Sequence, residues 1–282
     1  MLTPIDFLQD LTNPALGFLP RALFISIIVA AVCGVVGTHV VLRGMAFIGD
    51  AVAHAVFPGL AIAFAMQASI LLGGAVAGAA VAILIAVFSQ RRRVKEDTVI
   101  GIFFAASFAI GLVIIARVDG YTGSLTSVLF GSITGVSERD IIVATIVGAV
   151  VTLVILALTP QLTAVALDRE TARAMNLPVV LLDIVLYLAV TAAVVISIRT
   201  IGNILVLALL LTPAATARLV TNKLTAMMAL SAAIGVTGSI VGLYLSWAAD
   251  MPTGATIVLT LTAGFLVTWA LSPFNFRRKV SA

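Results

Sequence analysis

An aspartate and a histidine stand four residues apart in the segment Gly49–Gly59, GDAVAHAVFPG, of a very apolar chain. At i and i+4 on a helix, Asp50 and His54 project from one face. A carboxylate oxygen and an imidazole nitrogen are ligands suited to Mn²⁺, Fe²⁺ or Zn²⁺. An ionised aspartate in the middle of a membrane helix costs about 2.5–3.5 kcal/mol on insertion scales. Ionisable residues kept there face a bundle interior or a pathway. Pro58 and Gly59 follow directly, and the proline predicts a kink or a break. A broken helix with ionisable groups near the midplane is a mark of transporters. The plain alternative is that the pair pins neighbouring helices by hydrogen bonds.

Two ligands do not complete a metal site, since Zn²⁺ takes about four and Mn²⁺ about six. The other histidine, His39, falls near the inner end of the first apolar run, and is read as structural or interfacial. Asp183 is the one further acid expected inside a span. A two-fold dimer would bring two Asp50–His54 pairs to one axis. A weak, transient site suits a carrier that must release its ion.

The elements that position these residues are membrane helices. Of the 282 residues, 62% are hydrophobic and 10% charged, against about 25% charged in a soluble domain; mean hydropathy is +1.23. Apolar runs long enough to cross about 30 Å of hydrocarbon fall at about 22–42, 46–66, 69–89, 98–116, 140–159, 179–198, 201–220, 224–247 and 254–272. The pair 179–220 is interrupted by little more than Arg199, Thr200, Gly202 and Asn203, so a re-entrant or broken segment would leave eight full spans. With nine spans, 12 of the 16 basic residues (Arg43, Arg91, Arg92, Arg93, Lys95, Arg169, Arg173, Arg218, Lys223, Arg277, Arg278 and Lys279) fall on one side, and Arg21, Arg117, Arg139 and Arg199 on the other. The positive-inside rule makes the first side cytoplasmic, with the N-terminus outside and the C-terminus inside. The expected division is an external segment 1–21, a membrane domain 22–272 and a cytoplasmic tail 273–282.

Other segments are less specific. Asp168–Leu177, DRETARAMNL, is a polar amphipathic stretch on the cytoplasmic side. Acids at its start suit a helix dipole, and Pro178 is expected to end it. It could lie on the membrane or dock into another protein. Pro213 predicts a second kink. The Arg117–Arg139 connection reads as an external loop with a short interfacial helix, either capping the bundle or receiving an outside partner. Gly74/Gly78 and Gly238/Gly242 read as close helix packing. Cys33 reads as a small buried hydrophobe. The N-terminus has no basic region of the kind that opens a cleavable signal peptide. The basic residues sit in short loops, which gives no reason to expect nucleic acid. No G-x-x-x-x-G-K-[ST] loop occurs, so any ATP driving this chain must be hydrolysed by another polypeptide.

Three stretches together, Leu42–Phe64, LFGSITGVSERDI (Leu129–Ile141) and GNILVLALLLTPAATARL (Gly202–Leu219), resemble the membrane permease of zinc/manganese/iron ABC importers. The resemblance runs from about residue 21 to 272. It implies an all-α bundle like that of the larger importers for vitamin B12 and iron-siderophores, minus a helix. It also implies a permease dimer, two ATPase subunits on the cytoplasmic face, and a metal-binding protein delivering the ion from outside. Asp50 and His54 match the positions proposed to contact metal. Pro58, Gly59 and Pro213 would serve as kinks or gates. Asp168, Arg169, Glu170, Ala172 and Arg173 sit where the family has its coupling helix. Two positions depart from the family: Gly44, where many members carry a second basic residue, and His39, where an apolar residue is more usual.

The function expected is a multi-pass permease in a prokaryotic plasma membrane, not an enzyme itself, importing a manganese, zinc or iron ion with no permanently bound cofactor. The rivals are an importer of chelated iron, an ion-coupled secondary carrier using Asp50–His54 as a relay, and a membrane scaffold subunit.

Overall fold

The computed structural model describes residues 3–90, 94–117, 135–198 and 202–279, with side chains left out at 65, 70, 115, 203 and 273–279. All regular structure among the described residues is helical. Eleven α-helices follow in order: α1 (Pro4–Thr12), α2 (Phe18–Arg43), α3 (Ile48–Ala65), α4 (Ile70–Phe88), α5 (Glu96–Ile115), α6 (Glu138–Leu167), α7 (Arg169–Ala174), α8 (Val179–Ile198), α9 (Asn203–Val220), α10 (Leu224–Ala249) and α11 (Thr253–Lys279). Each of the nine expected spans coincides with one helix. Seven are long and apolar enough to cross a membrane; α3 and α9 fall short of that length in their apolar part. Residues 199–201, where the sequence leaves room for a break in 179–220, lie outside the described residues; α8 ends at Ile198, and Gly202, at φ +86°, precedes α9. The external loop expected at Arg117–Arg139 lies mostly outside the described residues, as do Arg91, Arg92, Arg93 and Arg199.

Helix ends are set by local backbone chemistry. Four helices, α2, α3, α7 and α10, close on a left-handed residue: Gly44, Gln67, Asn176 and Asp250. After α7, the Asn176 N–H donates to the Arg173 carbonyl at 2.9 Å and the Leu177 N–H to the Ala172 carbonyl at 3.0 Å. This double return satisfies carbonyls the helix leaves open. Asn176 therefore ends α7 before Pro178 is reached, earlier than the proline alone predicts.

Helix α2 is the centre of the bundle. It buries nearly every residue from Val29 to Val40 and packs on α10, α9 and α6. Gly34 and Gly37 make that possible: a Cβ at Gly34 would lie 2.7 Å from the backbone of Ala232, and one at Gly37 only 1.8 Å from the Leu210 carbonyl oxygen. The glycines at 74, 78, 238 and 242 play the expected packing role, each facing a neighbouring helix with no room for a side chain or barely any.

Helix α3 is held between α4 and α5. It crosses α4 at Gly59 and Gly73, where a Cβ on Gly59 would lie 2.1 Å from the Gly73 carbonyl oxygen. At one end of the bundle, α1 lies on α10: the Phe7 and Tyr244 rings meet edge-on at 5.6 Å, and the Trp247 indole N–H donates to Asp10 at 3.0 Å. Arg21 and Glu138 pair across the same end at 2.8 Å. Arg43, Arg169 and Arg173 gather at the opposite end, in keeping with the charge segregation read from the sequence.

Candidate metal-handling site

Between Ile48 and Gly59, every residue of α3 is buried except Asp50, His54 and Pro58. These three are spaced by four, so they form one stripe along the helix. The rest of the helix surface is consumed by α4, α5, α8 and α9. From Ile48 to Gly59 the sequence thus buries α3 everywhere but on the face that carries its two ionisable side chains.

The geometry of the pair suits a shared cation. His54 Nε2 lies 3.5 Å from Asp50 Oδ1, with the side chains 16% and 30% exposed. Two ligands about 2.1 Å from one ion, at angles between about 90° and 109°, are roughly 3.0–3.4 Å apart. The pair is within a small adjustment of that bite. The other imidazole nitrogen, Nδ1, is buried without a hydrogen-bond partner. Pro58 has no N–H, so the His54 carbonyl four residues earlier loses its helical donor. One turn of α3 therefore presents a carboxylate, an imidazole and a carbonyl freed from its helical bond.

Phenylalanines hold the imidazole. Phe104 and Phe108 of α5 meet His54 edge-on at 4.9 and 5.1 Å, and Phe57 lies 5.5 Å away. Apolar walls exclude water and strengthen electrostatic attraction at the open stripe. Sequence reading missed these rings, because phenylalanine in a membrane span carries no signal of its own. The i, i+4 spacing of Phe104 and Phe108 could have placed both on one face.

The pair sits slightly nearer the start of its helix than the sequence places it. Gly44 ends α2, so α3 starts at Ile48 and not at 46. His54 then lies about 9 Å along a helix about 27 Å long, about 4.5 Å short of its midpoint. Helix α3 also continues through Pro58 unbroken to Ala65. Gly59 is the contact point with α4. Pro213 lies inside α9, which is likewise continuous, and packs toward Gly235 of α10, away from the α3 stripe.

His39 is 1% exposed, with Nε2 unpartnered. Among the described residues, no three or more His, Cys, Asp or Glu side chains come together as a cation cage. Asp183 is fully buried and already engaged: Arg43 donates to its Oδ1 at 2.7 Å, and Gln90 at 3.0 Å and Arg169 donate to its Oδ2. It is the anchor of a cationic cluster.

In α7, Asp168 caps the helix by accepting from the Glu170 N–H at 2.9 Å. Glu170 and Arg173 are exposed, whereas Ala172 is buried against the bundle. Arg169 turns inward to Asp183 and Glu96. The outward face is thus Glu170, Thr171, Arg173, Ala174 and Met175.

The profile described as the ABC 3 transport family matches residues 15–272. The chain belongs to that family. Among its relatives, it is 40% identical to the manganese transport system membrane protein MntC of Halalkalibacterium halodurans, covering 91% of this chain and 88% of that protein. It is 36% identical to the manganese import system permease protein ScaB of Streptococcus parasanguinis, covering 93% of each. The solved structure of PsaBC from Streptococcus pneumoniae in complex with Fab aligns with a TM-score of 0.85 at 34% identity, over 99% of this chain and 100% of that one. The chain is therefore a multi-pass membrane permease.

Proposed function

We propose that this chain is the pore-forming permease of an ATP-driven importer carrying a divalent transition metal ion into the cytoplasm, with manganese the first candidate. The partly open Asp50–His54–Pro58 stripe, on a stretch of α3 buried at every other residue from Ile48 to Gly59, carries the reading. Relatives named for manganese transport support the choice of ion. One carboxylate and one imidazole per chain bind several divalent ions, and Mn²⁺ binds most weakly of the series. Selection for manganese therefore belongs to an extracytoplasmic binding protein that delivers the ion. The secondary-carrier and chelated-iron readings have no comparable support.

Two copies of the permease would face each other across the stripe, supplying two carboxylates and two imidazoles to one ion. Two ATPase subunits would bind at the cytoplasmic end, against the exposed face of α7. The ion is substrate, held while the site is closed and released when the copies separate.

The test is the manganese, zinc and iron content of cells lacking the gene, measured by elemental mass spectrometry. The cells are complemented with wild type, Asp50→Ala or His54→Ala, with membrane levels matched. Wild type is expected to restore manganese and each variant to lose at least tenfold of that gain. Full restoration by both variants would make the stripe structural.

A further inference from the structure

Beneath α7 lies a buried polar cluster that metal binding does not use. Its hub is the Asp183 carboxylate, 0% exposed. Three donors converge on it from three helices: Arg43 at the end of α2, Gln90 just past α4, and Arg169 on α7. Arg169 also pairs with Glu96 at 3.6 Å, the first residue of α5, and the Tyr187 hydroxyl of α8 donates to the same Glu96. Arg173 of α7 donates to the Gln90 side-chain carbonyl at 3.0 Å. Arg43 reaches the Leu162 carbonyl of α6 at 3.4 Å. A six-residue helix is thereby tied by charge to the inner ends of five long helices.

Two of those helices hold α3, and one of them lies against its stripe. Helix α5 runs from Glu96 to Phe104 and Phe108 on His54, with Gly111 against Pro58. Helix α4 runs from Gly73 and Gly74, packed on Gly59 and Val56, down to Gln90. Glu96 and Phe104 are separated by about 12 Å of rigid helix. A displacement of α7 has a continuous hydrogen-bonded and packed route to the metal face through α5, and to the opposite side of α3 through α4.

We infer that Asp183 is a positioning residue for transport: with Arg169 and Arg43 it is the joint through which movement of α7 is transmitted to α4 and α5, and so to Asp50 and His54. The inference rests on the reading of α7 as the ATPase contact. A buried carboxylate shared by two guanidiniums suits the task, because its bonds are short, directional and shielded from water. The cluster has discrete partners, so it transmits a shift as a repacking and not as a soft deformation.

The experiment uses the permease co-purified with its ATPase, reconstituted in liposomes with the binding protein and Mn²⁺. ATP hydrolysis and manganese uptake are measured on the same preparation for wild type, Asp183→Asn, Arg169→Gln and Arg169→Lys. Hydrolysis is expected within about twofold of wild type in all. Uptake should fall at least tenfold in Asp183→Asn and Arg169→Gln, so that ATP consumed per ion rises by that factor. Arg169→Lys should recover most of the coupling. A parallel loss of hydrolysis and uptake, or no loss of either, overturns the joint. Should Asp183→Asn fail to assemble, the rim residue Arg169 decides alone. A wild-type complex that hydrolyses ATP without moving manganese would overturn the transport reading beneath it.

Discussion

At the residue scale, the molecule is decided by a few side chains whose partners are far away in the chain. Arg43 and Asp183 are separated by 140 positions and meet at 2.7 Å. Removing one partner of a buried ion pair leaves an uncompensated charge and costs about 3–5 kcal/mol. Arg43→Ala is therefore expected to lower the melting point of the detergent-solubilised protein markedly, with the double variant Arg43→Ala/Asp183→Asn recovering part of the loss. A double variant as unstable as the sum of the singles would show that the two groups do not act as a pair. Gly37 offers a sharper steric test. A Cβ there would enter the Leu210 carbonyl, so Gly37→Ala should destabilise by about 1–3 kcal/mol through overpacking. Gly101 on α5 has nothing within 4 Å of the same atom, and Gly101→Ala should be neutral or slightly stabilising. Thermal unfolding of the two variants side by side checks both. The Asp50–His54 pair was legible from spacing alone. The partners of Asp183 were not, because a pattern along the chain carries no information on which of several inner arginines folds back onto it.

At the element scale, hydropathy placed every long helix, since a bilayer demands an apolar run of roughly 20 residues from each segment that crosses it. Helix ends were less legible. They depend on single residues adopting positive φ, such as Asn176 and Gln67, and a left-handed asparagine or glutamine leaves no mark in an apolar profile. The prolines do not break their helices. Both Pro58 and Pro213 sit inside continuous helices, because neighbouring helices hold the turn in place where a free helix would break. The proline in α3 still withdraws a donor from the His54 carbonyl. Pro58→Ala is expected to restore that bond and stabilise the protein, by up to about 3 kcal/mol, while manganese uptake falls at unchanged membrane level. Unchanged uptake would remove the proline, and the carbonyl it frees, from the transport path.

At the scale of the whole molecule, the proposed metal site is unfinished within one chain, since it holds two side-chain ligands. The surface of α6 is apolar, with Ile142, Ile146, Val150 and Leu153 exposed. If two copies share one ion, a defective copy spoils its partner. Co-expression of wild type with His54→Ala at equal levels should therefore depress manganese uptake below the wild-type share of the mixture. A strictly proportional response would mean that each copy transports by itself.

The shortness of α3 has an electrical meaning. Its 18 residues rise about 27 Å, whereas the 30 residues of α6 rise about 45 Å. The helix that carries the proposed metal ligands is therefore shorter than α6 by about 18 Å. On the importer reading proposed above, a short path takes nothing from the roughly 4–5 kcal/mol per 100 mV that a doubly charged ion gains in crossing the membrane inward. The cell's own voltage pulls the cargo toward the cytoplasm, so the energy from ATP is left to open and close the path.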